Sequence, residues 1–354
     1  MPSRGIVLVT GANGFIGGWL AEGLYLEGEE EVRAGVRSWS SAARVARFPL
    51  NIVPCNILDP QQLDHAMNGA TTVIHCAKGA NIVRETQNVL EIALRHQVRR
   101  LVYVSSTEVY GGRDGEIDET SPCESGYSPY ADSKIRAESL CWEYQGRGLS
   151  VTVVRPPIVY GPFSTNWTVN IARKLQSGNW GIFKGHGDGV CNLVYVGDVV
   201  DAIVRAARDE RAAGEVFNVN GPDAPTWNQY FESFNQHLGL ADLRVFESRK
   251  ANLRAVLMEP LRMSAKLARD RLEKPMKNVA SRSGIARHVM KAFEQTMKTT
   301  PHPADLRLYG RQALYLATKM QNILDFTPKT DVETGLDMSV RWLKQVGLAP
   351  QNPR

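Results

Sequence analysis

Near its N-terminus the chain places Thr10-Gly11-Ala12-Asn13-Gly14-Phe15-Ile16-Gly17 directly after the apolar run Ile6–Val9 and directly before a helical pattern over Phe15–Glu27. A strand that ends in a glycine-rich turn and restarts at once as a helix is the first half of a βαβ unit. Each glycine has a separate task there: a tight turn, close approach of the backbone to a pyrophosphate, and close helix–strand packing. The helix start offers free N–H groups and the positive end of the helix dipole, which suits phosphate. A glycine-rich turn with no ligand is the alternative, and the strand–turn–helix context weighs against it.

The same alternation continues through the first half. Apolar, β-rich runs predict strands at Ile6–Thr10, Glu31–Val36, Asn51–Cys55, Thr72–Cys76, Leu101–Ser105 and Val151–Arg155. Between them helical periodicity covers Phe15–Glu27, Pro60–Met67, Ile82–His96 and Tyr130–Gln145. Near-continuous apolar strands joined by helices predict an α/β fold: a doubly wound parallel sheet of the Rossmann type, covered on both faces. The pattern loosens beyond Pro156, with a helix at Asp198–Ala207 that Asp198 is expected to cap, a strand at Glu215–Val219 and a helix at Trp227–Leu238. The expected division is a dinucleotide-binding domain over 1–165, rejoined around 194–222, and a smaller C-terminal α/β substrate-binding region over 166–354.

Composition narrows the class. A formal charge of +5 over 354 residues does not call for nucleic acid, and no RNP-type motif or zinc-ligand spacing is present. The cysteines Cys55, Cys76, Cys123, Cys141 and Cys191 are odd in number and never spaced as CxxC, which argues against a disulfide framework or metal site and for a reducing cytoplasm. The apolar run at Ile6–Val9 is too short for a signal peptide, and no transmembrane stretch is expected anywhere. Residues 249–298 stand apart: 13 Lys/Arg against 4 Asp/Glu give this segment a net charge of +9, well above that of the whole chain. Leu253, Val256, Leu257, Leu261, Met263 and Leu267 fall near helical spacing beside Arg254, Arg262 and Lys266. That pattern suits a solvated helical insertion, a lid that recruits an anion, or a peripheral patch for anionic membrane.

Which dinucleotide binds depends on the end of the second strand, where an NAD site usually holds an acid that grips the ribose hydroxyls. Here Val36 is followed by Arg37-Ser38. Arg37 is suited to a 2′-phosphate and Ser38 to a further hydrogen bond, so NADP is the expected cofactor, with NAD the alternative. Tyr130-Ala131-Asp132-Ser133-Lys134 falls on a predicted helix, which puts phenol and ammonium one turn apart on one face. A nearby lysine favours the phenolate and brings a tyrosine toward working range. Ser106, just after a strand, is placed to bond the same substrate oxygen.

With these motifs the chain resembles the extended short-chain dehydrogenase/reductases, the NAD-dependent epimerase/dehydratase group of nucleotide-sugar type. The resemblance rests on Thr10–Gly17, His75-Cys76-Ala77, Val102–Ser106, Val109-Tyr110-Gly111 and Tyr130–Lys134. It extends through Arg155–Pro162, Leu193–Val200 and Gly214–Asn220. It implies that Tyr130 moves the proton, that Lys134 also binds the nicotinamide ribose, and that Ser106 completes the catalytic set. It further implies a cofactor site of Gly11, Asn13, Gly14, Phe15, Ile16, Gly17, Ala77, and Pro157, Ile158 and Val159 along the nicotinamide. Asn56 and Ile57 would lie near the adenine, although Asp is usual at position 56.

Family dehydratases carry an Asp-Glu pair after the catalytic hydroxyl residue, whereas this chain has Thr107-Glu108. Elimination of water is therefore disfavoured. Lys78 stands where small apolar residues are common and is a candidate for substrate phosphate or for solvent. Arg173 and Asn192 fall where relatives contact a nucleotide or its diphosphate, while His75 reads as structural. The expected activity is hydride transfer at a ring carbon of a nucleotide-activated sugar, by a keto-sugar reductase or 4-epimerase. The alternative is an NADPH-dependent reductase of a steroid-like or flavonoid-like ketone. A non-enzymatic sensor is disfavoured because all three catalytic residues are present. Apolar stripes on the helices at 82–96 and 130–145 predict a homodimer through a four-helix bundle.

Overall fold

The computed structural model describes residues 5–28, 31–248, 253, 257–258 and 299–351. The apolar runs become strands β1 (Ile6–Thr10), β2 (Glu31–Val36), β3 (Asn51–Pro54), β4 (Ala70–His75) and β5 (Arg100–Val104), followed by a short β6 (Gly115–Ile117) and β7 (Val151–Arg155). Further on come β8 (Ile158–Tyr160), β9 (Gly181–Lys184), β10 (Leu193–Tyr195), β11 (Val216–Asn218), β12 (Arg244–Glu247) and β13 (Ala313–Tyr315). The helices are α1 (Phe15–Glu27), α2 (Pro60–Met67), α3 (Ile82–Arg95), α4 (Pro129–Gly146) and α5 (Asn170–Gln176). They continue with α6 (Val196–Arg208), α7 (Trp227–Leu238), α8 (Pro303–Tyr309), α9 (Thr318–Leu324) and α10 (Val332–Gln345).

Local chemistry starts these helices where the sequence indicates. Asp59 caps α2 by accepting from Gln61 and Gln62 backbone N–H groups, with Pro60 at the first helical position. Ser128 caps α4 through the Ala131 N–H, again ahead of a proline. Thr226 and Gln229 close a reciprocal capping box on α7.

The chain divides into two compact units: residues 1–164, 192–223 and 313–332 form the first, and 165–191, 224–312 and 333–354 the second. In the first, seven strands form one sheet in the order β11-β7-β5-β4-β1-β2-β3, and every pairing in it is parallel. The central strands β5 and β7 are buried at every residue, as a sheet covered on both faces requires. In the second unit β9 pairs in parallel with β12. Its core is aromatic, with Trp227 and Tyr309 ring centres 4.5 Å apart and Trp180 edge-on to Phe183 at 5.1 Å.

Several boundaries differ from expectation. Strand β3 stops at Pro54, β4 runs from Ala70 to His75, and β5 from Arg100 to Val104. Helix α6 begins at Val196, so Asp198 sits in its first turn and does not cap it. Its buried carboxylate instead accepts the Lys329 and Thr330 N–H groups at 3.1 and 3.0 Å, pinning a distant loop. The basic segment at 249–298, with its amphipathic stripe, lies outside the described residues apart from Leu253, Leu257 and Met258. No helix among the described residues is long and apolar enough to cross a membrane.

One buried ion pair ties α4 to the sheet. Glu138, on α4, meets Arg155, the last residue of β7, and also accepts from the Ser105 hydroxyl. Arg155 donates further to the Tyr110 hydroxyl at 2.8 Å, and Tyr110 donates to the Asn218 amide oxygen at 2.8 Å. Removing one member of such a pair strands the other charge in a dry interior, at a cost of about 3–5 kcal/mol, whereas replacing both is far milder. Glu138→Ala should therefore lower the urea midpoint sharply. The double variant Glu138→Gln with Arg155→Met should recover most of the loss.

Candidate active site

The strand order does most of the assembly. Reading the carboxyl ends of β7, β5, β4, β1, β2 and β3 in sequence places Pro157–Val159, Ser106, Ala77-Lys78, the glycine turn, Arg37-Ser38 and Asn56-Ile57 along one edge. The connections reverse between β1 and β4, the switch point at which open parallel sheets hold their ligands.

At the turn, Gly11 has φ +70°, and a Cβ there would come within 2.7 Å of the Ala77 Cα. A Cβ on Gly17 would lie 2.4 Å from the Gly11 carbonyl oxygen. No side chain caps the N-terminus of α1, and its first turn holds no acid. Free N–H groups and a backbone cradle that side chains would fill fit a dinucleotide diphosphate. Asn13 and Gly14 are exposed there, and Phe15 and Ile16 are half-buried.

On the second-strand side, Arg37 is exposed, and the Ser38 hydroxyl bonds that of Ser40 at 3.0 Å. The Asn56 amide oxygen accepts the Leu58 N–H at 3.3 Å, and Ile57 is buried. Sequence reasoning missed Arg44. Its Nη1 donates to the Gly14 and Phe15 carbonyls at 3.1 and 3.0 Å, and its guanidinium stacks 4.0 Å from the Phe163 ring centre. Gly18 makes room for it, since a Cβ there would lie 2.6 Å from the Arg44 Cζ. Its Nε and Nη2 are buried with no hydrogen-bond partner among the described residues. Burial pulls its pKa down to about 10. The available signal was the concentration of Arg37, Arg44 and Arg47 in one short stretch after β2.

Tyr130 and Lys134 lie on the first turns of α4, and Ser106 follows β5. The Ser106 oxygen accepts the Glu108 N–H at 3.2 Å, starting a single 3-10 turn. Burial, reinforced by the Glu108 carboxylate, pushes the Tyr130 phenol up to about 12, and the Ser106 hydroxyl works in the opposite direction. Lys134 is anchored to β5. Its ammonium donates to the Val104 carbonyl at 2.7 Å and the Tyr103 hydroxyl at 3.1 Å, and stands 6.0 Å from the Tyr130 ring centre. Burial lowers it to about 8, with Glu138 opposing that shift. The outcome at neutral pH is a protonated phenol beside a buried, largely charged lysine.

The remaining candidates fall in several environments. Lys78 stands over Tyr130, its Nζ 4.0 Å from the ring centre. Thr107 is buried, and its N–H donates to the Pro156 carbonyl at 3.2 Å. Glu108 is exposed and accepts from the Ser128 hydroxyl at 3.3 Å. The Asn192 side chain is buried, donating to the Ala313 carbonyl and accepting from Tyr315 and Asn220. Arg173 is an exposed residue of α5, in the second unit. His75 is fully buried between Thr10 and Thr86 hydroxyls, and burial holds it near pKa 3, neutral and structural.

Residues 7–220 match the NAD dependent epimerase/dehydratase family. The chain is 28% identical over 255 residues to the UDP-N-acetyl-alpha-D-glucosaminuronate decarboxylase of Bacillus cytotoxicus, covering 65% of this chain and 79% of that protein. It is 31% identical over 239 residues to cinnamoyl-CoA reductase 1 of Petunia hybrida, covering 59% and 71%. Among solved structures, UDP-glucuronic acid 4-epimerase from Bacillus cereus in complex with UDP-glucuronic acid and NAD superposes with a TM-score of 0.70 at 18% identity, over 96% of this chain and 99% of that one. The dTDP-glucose 4,6-dehydratase of Bacillus anthracis gives 0.71 at 21% identity, over 96% and 97%. The chain therefore belongs to the NAD-dependent epimerase/dehydratase family, and it is an enzyme.

Proposed function

We propose that this enzyme transfers hydride at a ring carbon of a nucleotide-activated sugar, as a keto-sugar reductase or 4-epimerase rather than a dehydratase. The observation that carries this reading is the Ser106–Tyr130–Lys134 set, with its phenol held in the protonated form and no carboxylic acid at position 107. Tyr130 is a proton donor to a substrate carbonyl oxygen and recovers the proton in the reverse direction. Ser106 has its hydroxyl hydrogen available for the same oxygen. Lys134, positioned by Val104 and Tyr103, supplies positive charge and a donor for a ribose hydroxyl. The dinucleotide, when bound, supplies or takes up the hydride. A buried Thr107 and a Glu108 tied to Ser128 leave no acid poised to protonate a departing hydroxyl, which supports reduction or epimerisation. The nucleotide-sugar class draws on the substrates named for the decarboxylase and the glucuronic acid epimerase above.

For the cofactor, NADP(H) is the favoured form. Arg37 stands where an acid would grip an NAD ribose, and the two unpartnered donors of Arg44 lie beside the glycine turn. That preference also suits net reduction. A second reading, a reductase of a hydrophobic carbonyl compound, is favoured by the likeness to cinnamoyl-CoA reductase. Melting-temperature shifts with uridine, thymidine, guanosine and cytidine diphosphates separate the two readings, because only a nucleotide-sugar enzyme should respond.

Tyr130→Phe should lower turnover by about 10²–10⁴-fold while leaving dinucleotide affinity nearly unchanged, since only the phenolic proton is lost. Lys134→Ala should weaken both. Steady-state kinetics and cofactor fluorescence titration measure the two effects, and wild-type turnover in Tyr130→Phe would rule out the mechanism. Arg37→Asp should turn the preference from NADPH toward NADH in the same titration. Unchanged NADPH affinity would remove the 2′-phosphate assignment.

A further inference from the structure

The loop from β4 to α3 spans only residues 76–81. Glu85, on the first turn of α3 and 3% exposed, turns back and accepts the Gly79 N–H at 2.8 Å and the Asn81 N–H at 3.4 Å. A Cβ on Gly79 would lie 2.1 Å from that carboxylate, so only glycine lets the staple close. Asn81 also caps α3 through the Arg84 N–H at 3.1 Å. A short loop fastened at these points restricts where Lys78 can reach, and its Nζ comes 4.0 Å from the centre of the Tyr130 ring.

The Lys78 side chain is exposed, and among the described residues its ammonium makes no hydrogen bond and no ion pair. Its contact with the ring face is a cation–π interaction, weak where water reaches it. Lys78 also opposes the charge on buried Lys134, helping to lower that lysine's pKa. The nearby carboxylate of Glu108 is engaged by the Ser128 hydroxyl. A second cation is thus kept beside the catalytic phenol, in no ion pair among the described residues. The phenol oxygen, where the reacting substrate oxygen would bind, is on the rim of the same ring. A group one or two bonds from the reacting carbon is therefore within reach of the Lys78 ammonium.

We infer that Lys78 is a specificity-determining residue that binds a carboxylate on the reacting sugar, so that the substrate is an acidic, uronate-type nucleotide sugar. This rests on the nucleotide-sugar reading above. The fit is chemical: a carboxylate beside an exposed ammonium forms a charge-assisted hydrogen bond that a neutral hydroxymethyl group cannot match.

Calorimetric titration of the full chain, with NAD(P)⁺ present, against UDP-glucuronic acid, UDP-glucose and UDP tests the inference. The wild type should prefer UDP-glucuronic acid over UDP-glucose by about tenfold or more. Lys78→Met should bring the two within about threefold of each other, and Lys78→Arg should keep most of the preference. Because the side chain is exposed, melting temperatures should be unaltered, which separates lost recognition from lost folding. Equal weakening of all three ligands in Lys78→Met would assign the lysine to the diphosphate and overturn the carboxylate reading. Equal affinities for both sugars in the wild type would also overturn it while leaving the nucleotide-sugar class intact. If none of the three binds, the nucleotide-sugar reading itself fails and this inference falls with it.

Discussion

The geometry of the candidate site hangs on the buried contact between Glu138 and Arg155. Glu138 lies one helical turn beyond Lys134, on the same face of α4, while Arg155 ends β7 and Ser105 directly precedes Ser106. One carboxylate therefore sets α4 in register with two strands at once. Tyr130 and Lys134 inherit their height above the sheet from it. A hydrophobic pair of similar volume packs without distinguishing one helix position from the next by a turn. Setting register is the best-attested use of such buried charges.

The electrostatics of the site follow from burial more than from pairing. The YxxxK spacing puts phenol and ammonium on one face, and from spacing alone the ammonium should stabilise the phenolate. In the folded chain the Val104 carbonyl and Tyr103 hydroxyl draw the ammonium toward β5, and burial raises the phenol. Burial and the Glu108 carboxylate together favour the state with the proton on tyrosine. At neutral pH the resting phenol is therefore in its acid form.

The legible part of this protein was the part encoded locally. Apolar runs located the sheet strands and glycine spacing located the first turn, because each signal lies within a few residues of its effect. What escaped notice acts across the chain. Asp198 looked like a cap because it sits near a helix start, yet its partners are 329 and 330, brought close only by folding. Arg44 reaches the glycine turn from thirty residues away, and Glu85 shapes a loop whose short length was visible but whose staple was not. Periodicity and spacing carry no record of such pairings.

Gly18 shows how such a pairing restricts change. The position is buried on α1, where alanine would ordinarily be the better helix former. The space above it is filled by the Arg44 guanidinium, sandwiched toward a Phe163 that itself holds φ at +72°. A methyl group at 18 would force the guanidinium to shift, and with it the arginine's contact on the Phe163 ring. Positions 18, 44 and 163 thus share one packing contact, and a change at one is felt at the other two. A designer altering the glycine-turn side of this enzyme inherits that linkage as well.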